Sequence, residues 1–135
     1  MELGHAYSVL VVSASAKFNE SVRGLLPERF YWPVTVLTDA AGARRELLEN
    51  SYDLVVINTP LPDEFGHELG TDAVTKTDAG VILLTKTATA DQIADKLQEF
   101  GVLVLGKPFT GAQFRQAVQL AASNYKRLAV LRAEN

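Results

Sequence analysis

Asn58 stands where a side chain could do chemistry. It ends the apolar run DLVVIN, and a proline-rich turn, TPLPDEFG, follows it directly. A strand that ends in this way delivers a side chain to the edge of a parallel sheet where ligands bind. The delivered side chain is a carboxamide, which does not ionise and is a poor substitute for a carboxylate at a metal ion. The chemistry expected of this position is therefore hydrogen bonding and neither nucleophilic attack nor metal binding.

The elements that position Asn58 follow from apolar runs that alternate with segments of helical period, which is typical of βαβ units. The runs predict strands at Tyr7–Val12, Val34–Leu37, Leu54–Ile57, Gly80–Leu84 and Val102–Leu105. The intervening segments predict helices at Lys17–Leu26, Ala40–Asn50, Glu64–Thr75 and Ala90–Phe100, and from Gly111 onward. Two of the helix starts carry a Thr and a Gln at capping-box spacing, Thr89 with Gln92 and Thr110 with Gln113.

Five βα units of this length predict an α/β, flavodoxin-like fold. Its doubly wound, five-stranded parallel sheet has the strand order 2-1-3-4-5, with helices on both faces. Ligands of such folds bind outside the carboxyl ends of the strands. The residues delivered to that edge are Ser13, Ala14, Asn58, Thr85 and Lys107.

Composition excludes several classes of function. The chain has 135 residues, no cysteine and a net charge of −3, so it has no thiolate chemistry and no basic footprint for nucleic acid. His5 and His67 have no second histidine at ligand spacing, and we expect no metal site. No apolar run approaches the length of a membrane span, and the first residues lack the pattern of a signal peptide. We expect a cytoplasmic domain that binds no membrane.

The last helix is expected to extend beyond the domain. Residues 1–122 form the predicted domain, and residues 123–135 form an extension of its last helix. Apolar and small residues spaced by three and four, among them Leu128 and Leu131, indicate the seam of a short coiled coil. Two interpretations stay open: the seam leads to a further domain beyond Asn135, or the helix simply frays after covering the sheet.

Three motifs in this order resemble those of response-regulator receiver domains, over residues 7–122. Asn58, Pro62 and Gly66 have the spacing of the family's phosphorylation loop. LLT, which ends at Thr85, resembles its hydroxyl-bearing switch position, and Gly106–Phe109 resembles its Lys-Pro-Phe segment. In that segment Lys107 and Pro108 are usually joined by a cis bond.

The departures from the family pattern concern its chemistry. Receivers accept a phosphoryl group on an aspartate at the position of Asn58, and bind Mg²⁺ with that aspartate and an acidic pair at the positions of Ser13 and Ala14. Val104 replaces the family's aromatic switch residue. The resemblance thus implies a degenerate receiver that is not an enzyme and holds no cofactor. Lys107 is left without its usual carboxylate.

We expect three alternative partners for the Lys107 ammonium. The first is the Asn58 carbonyl, the second is a carboxylate of Asp63 or Glu64 from the adjacent loop, and the third is a bound anion.

The stretch YDLVVINTPLPDEFG, at residues 52–66, and a last helix that runs into a seam resemble a subset of the family: pseudo-receivers joined through a coiled coil to the RNA-binding ANTAR domains of bacterial antitermination regulators. This resemblance implies a homodimer that pairs through the fourth helix, fifth strand and fifth helix and controls a C-terminal effector. Two alternatives remain. One is a flavodoxin-like module that binds a phosphate-bearing ligand or nucleotide near Ser13–Ser15, and the other is a receiver phosphorylated at an atypical residue such as Thr59 or Asp63.

Overall fold

The computed structural model describes the backbone of residues 6–134 and the side chains of residues 6–123. Its strands are β1 (Tyr7–Val12), β2 (Tyr31–Leu37), β3 (Leu54–Asn58), β4 (Gly80–Lys86) and β5 (Val102–Lys107). Its helices are α1 (Ala16–Leu25), α2 (Ala40–Glu49), α3 (His67–Lys76), α4 (Thr87–Glu99) and α5 (Gly111–Glu134).

All five strands are parallel and lie in the order β2-β1-β3-β4-β5, which confirms the predicted fold. Alternate residues of β1, β3 and β4 point to opposite faces of the sheet. One face packs against α2, α3 and α4, and the other packs against α1 and α5. The central strands are continuously apolar because both of their faces are covered.

The β2 strand begins at Tyr31 and not at Val34 as predicted. Pro33 made the start of this strand hard to predict, because proline lacks the backbone donor that a strand residue uses in the sheet. Proline is tolerated here because β2 is an edge strand. Tyr31 stacks near Tyr7, whereas Trp32 is exposed.

Two helix starts were predicted at the wrong residue. α4 begins at Thr87, with Lys86 as its N-cap, so Thr89 lies inside the first turn and does not cap the helix. α3 begins at His67 and not at Glu64, because Gly66 at a φ of 129° separates the preceding loop from the helix.

The capping box at the start of α5 is confirmed. The Gln113 side chain accepts from the Thr110 amide at 2.8 Å, and the Thr110 hydroxyl accepts from the Gln113 amide at 3.1 Å. The α5 backbone then remains helical as far as Glu134. Leu128 and Leu131, predicted at a coiled-coil seam, lie outside the residues whose side chains are described. Over the described residues, no helix is long and apolar enough to cross a membrane.

Candidate functional site

The carboxyl edge of the sheet brings Ser13, Asn58 and Lys107 into one hydrogen-bonded chain. The Asn58 Nδ2 group donates to the Ser13 hydroxyl at 3.2 Å. The Lys107 ammonium donates to Asn58 Oδ1 at 2.8 Å and to the backbone oxygen of Thr59 at 2.6 Å. Ser13, Asn58 and Thr59 are all buried. The amide of Asn58 therefore has a fixed orientation, with its donor toward β1 and its acceptor toward β5.

Strand order explains why these side chains meet. β1 and β3 are neighbours, so the short side chains of Ser13 and Asn58 reach each other directly. β5 lies two strands away from β3, a distance of about 10 Å. Only a long side chain such as that of Lys107 bridges that gap.

Among the residues whose side chains are described, Lys107 has neutral oxygen partners and no carboxylate partner. Burial lowers the pKa of its ammonium, and repulsion from Lys86 lowers it further. Lys86 is the register partner of Lys107 in the sheet, one strand away on β4. The Lys107 ammonium is therefore bound by two neutral oxygens while it lies near the positive charge of Lys86.

Of the three partners expected for Lys107, the structure has the Asn58 carbonyl, and neither Asp63 nor Glu64 pairs with Lys107 among the described contacts. The Asp63 carboxylate accepts from the amides of Ala40 at 2.9 Å and Ala41 at 3.0 Å, in the first turn of α2. These backbone hydrogen bonds lower the pKa of Asp63. Such amides at a helix N-terminus lack partners within the helix and attract anions, which gives Asp63 an alternative to Lys107.

Glu64 is engaged by Arg44 of α2 instead. The guanidinium donates to both carboxylate oxygens of Glu64, and its Nη2 lies 3.0 Å from the carboxylate of Asp72 on α3. The Glu64 hydrogen bond is the largest cause of the raised pKa of Arg44. These contacts tie the β3–α3 loop to α2 on the side away from Lys107.

Ser13 also anchors the start of α1. Its hydroxyl accepts from the Ser15 amide at 3.2 Å, and its backbone oxygen accepts from the Asn19 side chain at 2.8 Å. Ser15 in turn caps α1 by accepting from the Phe18 amide. Ala14, between the two serines, is exposed. The pair predicted after β1 is thus one buried hydroxyl and one exposed methyl group.

The remaining predicted residues surround this chain of contacts. Thr85 is buried at the end of β4, in register with Gly106 of β5. Lys107 and Pro108 are joined by a cis bond, as the resemblance implies. Val104 packs against the apolar layer beneath α2, α3 and α4.

An open cleft of about 630 Å³ lies beside Asn58 and Lys107. No carboxylate is present among its described lining residues, which are Ala14, Ser15, Lys17, Phe18, Ser21, Asn58, Thr59, Pro60 and Lys107. Two lysines make this lining electropositive and supply ammonium donors.

Comparison with known proteins assigns the family. The protein-family model described as the response regulator receiver domain matches residues 9–119 of this chain. The chain belongs to this family, and it is a receiver domain of signal transduction.

Individual relatives agree with this assignment. The chain is 34% identical over 94 residues to Protein PetR of Rhodobacter capsulatus, a match that covers 67% of this chain and 40% of PetR. The signal receiver domain of an HD domain-containing protein from Pseudomonas fluorescens Pf-5 has a similar structure, with a TM-score of 0.82, 21% identity and 96% of each chain covered.

A third similar structure contains a magnesium ion. The receiver domain of the sensor histidine kinase PA1611 from Pseudomonas aeruginosa PAO1 is similar with a TM-score of 0.71 and 20% identity, over 88% of this chain and 99% of that one. That structure is described with a magnesium ion coordinated in the active-site cleft. At this identity the likeness shows the fold alone.

The corresponding cleft of this chain does not fit a magnesium ion. Mg²⁺ in proteins is held through one or two carboxylates together with water and phosphate oxygens. The described lining offers hydroxyl and amide oxygens and two ammonium groups, which repel a cation. No group of three or more His, Cys, Asp or Glu residues that could hold a metal ion occurs in the described part of the chain.

Sequence reasoning missed two residues that shape the site and the role of a third, Thr59. The Thr59 backbone oxygen is a partner of Lys107, Lys17 lines the cleft, and Lys86 perturbs the pKa of Lys107. Lys17 could have been found from its place in the first turn of α1, beside the carboxyl end of β1. The backbone partner carried no signal, because carbonyl groups are common to all residues.

Proposed function

We propose that this domain is a pseudo-receiver, a receiver-type regulatory module that works without phosphorylation of its acceptor position. The observation that carries the proposal is the contact between Lys107 and Asn58. A neutral amide oxygen takes the place where the family has a nucleophilic carboxylate. A carboxamide is too weak a nucleophile for phosphoryl transfer, and the adjoining cleft offers no carboxylate to hold the metal.

The engagement of Thr59 and Asp63 argues against phosphorylation at an atypical residue. The Thr59 hydroxyl is buried and donates to the Leu84 backbone oxygen at 2.9 Å. The Asp63 carboxylate is committed to the amides of Ala40 and Ala41. Both oxygens are therefore engaged by partners within the fold and are poorly placed to attack a phosphodonor.

We further propose that the domain acts as a cytoplasmic homodimer and conveys its state to a C-terminal effector. The surface formed by α4, β5 and α5 supports this proposal, because Phe100 and Leu120 are large apolar side chains that remain 47% and 57% exposed there. The long α5 would connect such a dimer to the proposed effector. The chain spans 40% of the length of PetR, the curated relative it matches. An RNA-binding effector of the ANTAR type is the one that we propose.

Intact mass tests the phosphorylation part of this proposal. The protein is incubated with a small-molecule phosphodonor and Mg²⁺, beside its Asn58→Asp variant and a receiver that retains all its carboxylates. We expect a phosphoryl gain in the complete receiver and none in the native chain. A gain in the native chain would overturn the proposal and direct the search to Thr59 and Asp63.

Light scattering tests the dimer separately. The double substitution Leu128→Ala and Leu131→Ala is expected to lower the measured mass toward that of one chain across a concentration series. Substitution of the exposed Leu48 on α2, outside the proposed surface, is the control. An unchanged mass in the double variant would rule out this pairing surface.

A further inference from the structure

The cleft beside Asn58 has the opposite charge from a metal site. Lys17 and Lys107 line it, and Lys86 lies close enough to Lys107 to lower its pKa. The carboxylates of Asp63 and Glu64 in the β3–α3 loop are engaged by groups of α2. Positive charge in a cleft without a carboxylate counter-ion attracts anions from solution.

Lys107 has a hydrogen-bond donor left for a ligand. An ammonium has three N–H donors. In the described structure two of them are used, by Asn58 Oδ1 and by the Thr59 backbone oxygen. These two contacts fix the position of Lys107 at the wall of the cleft. A bound anion would meet a preoriented donor and would lose little free energy in ordering this side chain.

The remaining lining provides hydroxyls and an apolar wall. Ser15 and Ser21 line the cleft on α1 and its N-cap, on the same side as Lys17. Phe18 and Pro60 supply apolar surface beside them. The cleft, at about 630 Å³, is large enough for a small organic molecule and not only for an inorganic ion.

We infer that this cleft binds a small phosphate monoester non-covalently, with its phosphoryl oxygens on Lys17 and Lys107 and its organic part against Phe18 and Pro60. A phosphate monoester carries a charge of about −1.5 to −2 at neutral pH. That charge matches the two lysines of the lining, whereas a carboxylate would neutralise only one. No bond to phosphorus forms or breaks, and no metal is required.

This inference goes beyond the proposed function, because it gives a phosphorylation-independent receiver a ligand as its input. The proposed function and this inference can fail separately. Covalent phosphorylation changes the intact mass, whereas non-covalent binding leaves the mass of the denatured protein unchanged and reverses on dialysis.

Nuclear magnetic resonance of backbone amides tests the inference, with phenyl phosphate as the probe. We expect saturable shifts centred on Ser15, Lys17, Thr59 and Lys107. Benzoate, which has a similar ring and one negative charge, is the matched ligand control and is expected to bind at least about threefold more weakly, because it brings less negative charge to the two lysines. Equal binding of benzoate would overturn the assignment to a phosphate.

Two lysine variants test the site itself. Lys17→Gln removes an exposed charge and is expected to weaken phenyl phosphate about two- to fivefold without unfolding the domain. Lys96→Gln, near the end of α4, is the control and is expected to leave affinity unchanged. Equal effects of the two variants would overturn the inference. It would also be overturned by the absence of saturable shifts at about 10 mM, or by shifts centred elsewhere.

Discussion

Lys107 donates to Asn58 Oδ1 across an intervening strand, at 2.8 Å, and this contact defines the site. It closes a chain of hydrogen bonds from Ser13 on the β1 side to Lys107 on β5. In the proposed pseudo-receiver, this site is built from groups that do not perform phosphoryl transfer. A carboxamide has nearly the shape of a carboxylate but is a poor nucleophile.

Replacement of Lys107 is expected to lower stability. Lys107→Met leaves the buried oxygen of Asn58 and the backbone oxygen of Thr59 without their donor, at an expected cost of about 1–2 kcal/mol in the free energy of unfolding. Lys86→Met, on the neighbouring strand, removes only an exposed repulsive charge and is expected to stay within about 0.5 kcal/mol of the native value. Urea unfolding compares the two variants. Equal losses would mean that the contact with Asn58 does not stabilise the domain.

The pH dependence of stability is expected to report on Asp63. Backbone hydrogen bonds from Ala40 and Ala41 lower its pKa below the ordinary value of 3.8. A carboxyl whose pKa is depressed by folding adds stability above its unfolded pKa, and that stability is lost as pH falls through the folded pKa. The difference between native protein and Asp63→Asn should therefore be full near neutral pH and shrink below 3.8.

Unfolding curves measured from neutral pH to pH 2 check this, with the exposed Asp91→Asn on α4 as the matched control. A constant difference between native protein and Asp63→Asn over that range would show that the helix cap contributes nothing through its charge.

Arg44 is expected to hold the β3–α3 loop in place. It joins Glu64 of that loop to Asp72 of α3, but its side chain is 36% exposed, so solvent screens the pairs. Arg44→Ala should cost about 0.5–1 kcal/mol, fall in effect at high salt, and speed hydrogen exchange at residues 61–66. Arg45→Ala, on an exposed neighbouring position, is the control. If hydrogen exchange in the loop is identical in the two variants, contacts other than those of Arg44 hold the loop in place.

The fold was predictable from the sequence because its signal is spread over many residues. Both faces of the central strands are covered, so β1 and β3 show as uninterrupted apolar runs. Strand order followed from the number of βα units. The boundaries of two elements were less predictable. Pro33 interrupts the strand pattern in the first half of β2. Thr89 begins a capping-box pattern but lies inside α4, whose N-cap is Lys86.

The site was predictable in its positions and less so in its contacts. The ends of the strands placed Ser13, Asn58 and Lys107 together, because parallel strands meet at one edge. The oxygen that accepts from Lys107 depends on which other groups compete for each acceptor. The backbone amides at the start of α2 bind the Asp63 carboxylate, so Asp63 does not pair with Lys107. Such competition between distant backbone groups is a property of the folded chain and leaves no pattern in the sequence.

Titration with Mg²⁺, followed through the backbone amides of Ser13, Asn58 and Lys107, tests the central claim most directly. The double variant Ala14→Asp and Asn58→Asp, which returns two carboxylates to the edge of the sheet, is the matched control. We predict no saturable shift in the native chain at millimolar Mg²⁺ and saturable shifts in the variant. Saturable shifts at these three amides in the native chain would contradict the account, because they would show a metal site where the structure places amide, hydroxyl and ammonium groups.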